Sequence, residues 1–228
     1  MRRLPGVLLI LAIAACSGPA GGGGPDPKAE LRDAGAAMGE VHSVTADLTF
    51  GPGVTLQGYT LVSATSKLKP PADSDSTFKV KQQDFLVDIR VVTVGGAIYL
   101  KVPFTPFTQL PADQAATLPD PAGLMDPAKG LPALLGAARK PTLVGTDKVD
   151  GMDCDKVSAG FAASDVAAVL GNAVKPAGDV SAVFWISHGD HLVRRLTLSG
   201  ALVEPGKSTN VDVHLHDYDA PLDIARPV

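Results

Sequence analysis

The sequence predicts an α+β domain, one long antiparallel sheet that curves and carries a few helices on one face. Three observations support this. Apolar residues recur at period two through most of the chain, as in strands with one buried side. Glycines, prolines and an Asp-Gly pair punctuate these runs at hairpin spacing. Three short stretches switch to helical spacing, and two of them open with Asp-Pro, an N-cap acid followed by proline at the first helical position. Strands joined by hairpins, with helices interspersed, argue for a single meandering sheet.

The chain begins with Met1-Arg2-Arg3, an apolar run over residues 4–13, and Ile13-Ala14-Ala15-Cys16. A charged start, a short apolar centre and small residues before a cut are the parts of a secretory signal. The run is shorter than the roughly 20 apolar residues a membrane span needs. The Ile-Ala-Ala-Cys ending is similar to the bacterial lipobox. Residues 1–15 are therefore expected to be a signal peptide, and Cys16 the acylated first residue of a mature lipoprotein. This predicts an exported protein held by lipid on the outer side of the cell membrane. Residues 17–27 are rich in glycine and proline and hold nothing to anchor them to a core. Residues 16–27 thus read as a lipidated cysteine and a flexible tether, reaching about 20 Å. Residues 28–228 remain as one domain.

In that domain, Asp26-Pro27 opens a helix with Leu31, Ala34, Met38 and Val41 on one face. Strands follow at 44–50 and 54–62, joined through Gly51-Pro52-Gly53, then at 77–81 and 85–94. Gly95-Gly96 turns into a strand over 97–102. A Pro-rich stretch over 103–121 interrupts the sheet. Asp126-Pro127 repeats the helix opening, with Leu131, Leu134, Leu135 and Ala138 on one side, and Pro132 is tolerated in the early turn. Strands resume at 142–149 and 152–158 around Asp150-Gly151. Ser164 is expected to cap a third helix carrying Val166, Val169 and Leu170. Strands at 180–187, 191–199 and 209–217 close the chain, the first two joined by Gly189-Asp190.

Composition narrows the function. The formal charge of −4 becomes −6 once Arg2 and Arg3 leave with the signal, and no basic cluster offers a footprint for nucleic acid. Without a polybasic patch, the Cys16 anchor must carry membrane attachment. Only Cys154 accompanies Cys16, so an acylated Cys16 leaves no internal disulfide and a packed core must hold the fold. The apolar share of 45% with only 5% aromatics is more than one core needs, and such a surplus can line a pocket. The same periodicity also fits a fully packed core.

No catalytic residue is assigned. The chain has no Gly-x-Ser-x-Gly elbow, His-Glu-x-x-His or phosphate-cradling loop. Cys154 stands between Asp153 and Asp155, and neighbouring acids raise a thiol's pKa rather than activate it. Asp212, His214 and His216 share the polar side of the last strand, a set that could hold a transition metal for a surface enzyme. A half-solvated sheet shows the same alternation, and that reading is preferred, so no metal ligand and no cofactor are assigned. His188 and His191 flank a turn.

Three stretches carry a family resemblance. Leu124-Met-Asp-Pro-Ala-Lys-Gly-Leu-Pro-Ala-Leu-Leu135 looks like the Leu-Asp-Pro-x-x-Gly-Leu helix start of the LppX/LprAFG lipoproteins of mycobacteria and related actinobacteria. Gly145-Thr-Asp-Lys-Val-Asp-Gly-Met-Asp-Cys-Asp-Lys-Val157 resembles their hairpin of Gly, some five residues, Gly, five residues and Val, and Val183-Phe-Trp-Ile-Ser-His-Gly-Asp-His-Leu-Val193 their Trp-Ile and Gly-Asp-His strand pair. The ending Asp217-Tyr-Asp-Ala-Pro-Leu-Asp-Ile-Ala-Arg-Pro227 also fits. Two stretches depart from the pattern: Gln82-Gln83-Asp84-Phe85 is bulkier than the family's Gly-rich hairpin, and 103–121 is richer in proline. The resemblance implies a curved antiparallel half-barrel with helices packed on its concave face, enclosing an apolar cavity for acyl chains. It further implies a non-enzymatic carrier of triacylated glycolipid or other multi-acyl lipid between envelope layers, with a major facilitator efflux pump as a partner. Phe78 falls near the cavity mouth on this reading. Val80, Val87, Ile89, Val91, Ile98, Leu131, Leu134 and Leu135 are further lining candidates. A lipid-free envelope scaffold supporting a transporter is the alternative.

Overall fold

A computed structural model describes residues 24–56, 58–115, 121–169 and 176–227. The signal segment, Cys16 and the tether as far as residue 23 lie outside the described residues. Helix α1 (Pro27–Gly39) starts as expected: the Asp26 carboxylate accepts the Lys28 N–H at 3.1 Å, and Leu31, Ala34 and Met38 are buried. Twelve strands follow in one sheet: β1 (Val44–Phe50), β2 (Thr55–Leu56), β3 (Tyr59–Lys69), β4 (Asp73–Gln82), β5 (Phe85–Val94), β6 (Ala97–Lys101), β7 (Thr108–Gln109), β8 (Arg139–Val149), β9 (Met152–Phe161), β10 (Val180–Ser187), β11 (Val193–Glu204) and β12 (Lys207–His216). Among the described residues, no helix is long and apolar enough to cross a membrane.

The strand order is β7-β6-β5-β4-β3-β1-β12-β11-β10-β9-β8, antiparallel throughout, with β2 paired only to β3. Two meanders, β3 to β7 and β8 to β12, are joined where β1 pairs with β12 in the register Ala46↔Leu215 and Leu48↔Val213. The sheet does not close on itself, as β7 and β8 remain edges. Between the meanders in sequence lie α2 (Ala112–Ala115), a 3₁₀ turn (Ala122–Met125) and α3 (Leu131–Gly136), and α4 (Ala163–Val169) falls within the second meander, after β9. The main core joins α1, α3 and α4 to the inner faces of β1 and β8 to β12.

Several elements depart from the sequence reading. The run 54–62 is two strands, broken at Gly58, whose φ of 85° suits glycine. Strands β3, β4, β8, β9 and β11 extend beyond their predicted ends. In β3 and β4, buried Ser66, Ser74 and Ser76 hold inward positions that an apolar pattern does not register. Asp126 does not open a helix. Its carboxylate accepts the Ala128 and Lys129 N–H groups, Gly130 closes a single turn onto the Asp126 carbonyl at 2.7 Å, and α3 begins only at Leu131. A Cβ at Gly130 would stand 2.5 Å from the Leu124 carbonyl oxygen, so this crossing requires glycine. Ser164 sits inside the first turn of α4, where the carbonyl of Ala162 accepts the Asp165 and Val166 N–H groups, so it is not the cap. The Pro-rich stretch contains β7 and α2.

Candidate functional site

Alternation along the central strands builds one wall of a cavity. Ala46, Leu48 and Phe50 of β1 point inward, as do Leu61 and Leu68 of β3, Leu196, Leu198 and Leu202 of β11, and Val211, Val213 and Leu215 of β12. The opposite wall consists of Pro121, Leu124 and Met125 at the 3₁₀ turn, Leu131 and Leu134 of α3, and Val169 of α4. The cavity volume is about 150 Å³. Among the described lining residues, Ser66 is the one polar side chain, and none is ionisable. Such a space accepts hydrocarbon, and its described walls offer no ionisable group to act as acid or base. It reaches toward the sheet end where β1 finishes at Phe50 and β3 begins near Leu61. There the start of β5 displays Phe85, 72% exposed, and Leu86, 59% exposed.

Three predicted lining residues, Phe78, Leu131 and Leu134, stand on the cavity wall. The other six lie outside it. Val80 packs behind the wall against Val54 and Leu61, with Val87 and Ile89 beside it. Val91 and Ile98 are buried on β5 and β6, beyond β4, the last strand of that meander to reach the cavity. Leu135, one residue past Leu134, is buried in the main core. Sequence reasoning missed the β1, β11 and β12 contributions. Their alternation was visible, but the pairing of β1 with β12 was not.

The outer face is polar and mutually paired. Trp185 lies between Lys156 and Arg195, each 4.9 Å from its ring centroid, and donates its indole N–H to Asp147 at 3.2 Å. Asp212 is held by Arg195 at 2.8 Å and Thr197 at 2.7 Å, so the trio with His214 and His216, which the sequence reading set aside, does not assemble. His214 instead meets Asp150 at 2.7 Å, and His216 meets Asp47 at 3.0 Å and Asp217 at 2.9 Å. Burial favours the uncharged form of both Asp47 and His216. Hydrogen bonds and opposite charges outweigh it, holding the Asp47 carboxyl below its ordinary value and the His216 imidazole above its own. Cys154 is a buried free thiol pushed up chiefly by that burial, with Asp147 and Asp153 adding to it.

Comparison with known proteins adds to this geometry. The family model described as LppX_LprAFG lipoprotein matches residues 26–224. A Mycobacterium tuberculosis protein named "Putative diacylated glycolipid transporter LprF" is 25% identical over 220 residues, covering 90% of this chain and 80% of that one. The "Lipoarabinomannan carrier protein LprG" of Mycolicibacterium hassiacum is 27% identical over 192 residues, covering 82% of this chain and 70% of its own length. The crystal structure of LprF from Mycobacterium bovis superposes with a TM-score of 0.71 at 24% identity, over 90% of this chain and 99% of that one, and shares the open antiparallel sheet with few helices.

Proposed function

Because this chain belongs to the LppX_LprAFG lipoprotein family, we propose that it is a lipoprotein that shelters the acyl chains of a multi-acyl lipid, without catalysing a reaction. The observation that carries this reading is the cavity between sheet and helices, whose described lining is apolar except for Ser66. Each methylene moved from water into such a site contributes about 0.8 kcal/mol, so hydrocarbon binds there with few polar contacts. Relatives named as glycolipid and lipoarabinomannan carriers support a glycolipid as cargo. The finer parts of the proposal are anchoring through Cys16 on the outer side of the membrane, transfer of lipid between envelope layers, and a major facilitator pump as partner.

An apolar cavity of about 150 Å³ accommodates a body the size of benzene. A whole acyl chain therefore requires one wall to move. The helical wall is the one to give way: α3 has six residues and the described part of α4 seven, whereas β1, β3, β11 and β12 are each hydrogen-bonded on both sides. Phe85 and Leu86 supply an apolar lip past which chains enter.

The test is native mass spectrometry with solvent extraction on the chain from Ser17, produced in an actinobacterial host. A stoichiometric lipid is expected. A lipid-free protein that also refuses added glycolipid would overturn the proposal and favour the scaffold.

A further inference from the structure

The outer face of the sheet gathers imidazoles and carboxylates that the cavity does not use. His214 and His216 stand on one side of β12 with ring centroids 5.0 Å apart. The register Asp47↔His214 places the β1 carboxylate directly across from them. One ligand atom from each of Asp47, His214 and His216 lies within 4.8 Å of the other two. We propose that these three residues bind a divalent transition metal of the zinc class, with Asp150 and Asp217 orienting the two imidazoles from outside.

Donor chemistry selects the ion. Two imidazoles and one carboxylate suit zinc, copper or nickel, whereas magnesium and calcium favour shells made of oxygen. Three protein ligands leave a fourth position for water, and side-chain exposures of 28% for His216, 35% for His214 and 48% for Asp47 leave the site open to entry.

The supporting contacts are already in place. Thr65 donates its hydroxyl to Asp47 Oδ1 at 2.5 Å, which turns Oδ2 toward His216 Nε2 at 3.0 Å. His216 engages Asp217 through Nδ1 at 2.9 Å, and His214 engages Asp150 through Nε2 at 2.7 Å. Each imidazole thus meets an outer carboxylate through one ring nitrogen and has the other for an ion, the arrangement that fixes a metal-bound histidine. Asp150 comes from the β8–β9 turn, carried there because that hairpin folds back over the outer face, where Asp147 also meets Trp185. A bound ion fastens together β1, β12 and the tip of the β8–β9 hairpin. Asp212, although on the same side of β12, is occupied by Arg195 and Thr197 and takes no part.

The experiment uses the full chain, without a histidine tag and stripped of metal, titrated with zinc and separately with calcium and magnesium. Bound metal is counted by elemental analysis, and the unfolding temperature is followed alongside. One zinc per chain and a rise in unfolding temperature are expected, with no response to calcium or magnesium. Replacing both histidines, H214Q with H216Q, should abolish binding, while Asp150→Asn weakens it about tenfold and Asp212→Asn leaves it unchanged. Near-native unfolding temperatures of the metal-free variants confirm that they fold. Absence of zinc binding by the parent chain, or zinc retained by the double variant, would overturn the proposal. Because the readout is metal rather than lipid, the result stands apart from the outcome for the cavity.

Discussion

The two sides of β12 face different surroundings. Val211, Val213 and Leu215 line the cavity, while Asp212, His214 and His216, one residue out of phase, stand among carboxylates and arginine. The contrast extends across the sheet. Lys156, Trp185, Arg195, His214, Asp47 and Thr65 follow one another in register on the outer face of six adjacent strands. The inner face is itself divided. Near β9 and β10 it is densely filled, with Phe161 and Phe184 in an edge-to-face pair 5.9 Å apart, whereas at β1, β11 and β12 it borders the cavity. Stability should therefore reside mainly in the filled part of the inner face, cargo in its hollow part, and small electrostatic increments on the outside.

Phe184→Ala tests the filled part and carries the largest expected effect. It removes a fully buried ring from the main core and should destabilise the protein by about 3–5 kcal/mol, read from the urea midpoint. A loss under about 1 kcal/mol would mean that this part of the core is hollow too, and would erase the distinction. Phe78→Trp together with Leu134→Trp tests the hollow part. Both side chains stand on the cavity wall, so the added rings should fill it and lower the lipid load in solvent extracts. Overpacking a dense core costs about 1–3 kcal/mol, so a change in stability below that range, with lipid lost, would sharpen the comparison. Lost stability with lipid retained would reverse it.

The sequence was legible where burial and hydrophobicity coincide. The ends of β1 and β5 could be read from it because apolar residues mark them. The reach of β3 and β4 could not, since Ser66, Ser74 and Ser76 are buried without being apolar. For the cavity, Phe78, Leu131 and Leu134 were named through the family resemblance, and they stand on its wall. Leu135 and Val80 did not separate from them, because adjacent buried positions look alike until the second wall is known. The β12 residues needed the pairing with β1, a contact spanning 169 positions between Asp47 and His216. The same distance hid the outer cluster. From the sequence, Asp212 is the obvious companion of His214 and His216, but Arg195 claims it and Asp47 takes its place.

The Gly-Asp-His segment that marked the resemblance now has a physical role, and it supports the smallest prediction. Asp190 accepts hydrogen bonds from the Ser187 hydroxyl, the Leu192 N–H at 3.1 Å and the Arg194 guanidinium. Arg194 in turn lies 4.8 Å from the ring centre of Tyr218, whose hydroxyl donates to the Val193 carbonyl. Burial alone would raise the Asp190 carboxyl, but these donors and the Arg194 charge outweigh it and hold the carboxyl below its ordinary value of 3.8. A carboxyl depressed in the folded state stabilises fully above its unfolded pKa, and that contribution fades as pH falls through the lower folded value. Asp190→Asn should therefore be less stable than the parent near neutral pH, and the gap should narrow in acid. Urea midpoints at neutral pH and below 3.8 decide it. A gap of the same size at both would assign the role of Asp190 to the shape of the turn rather than to its charge.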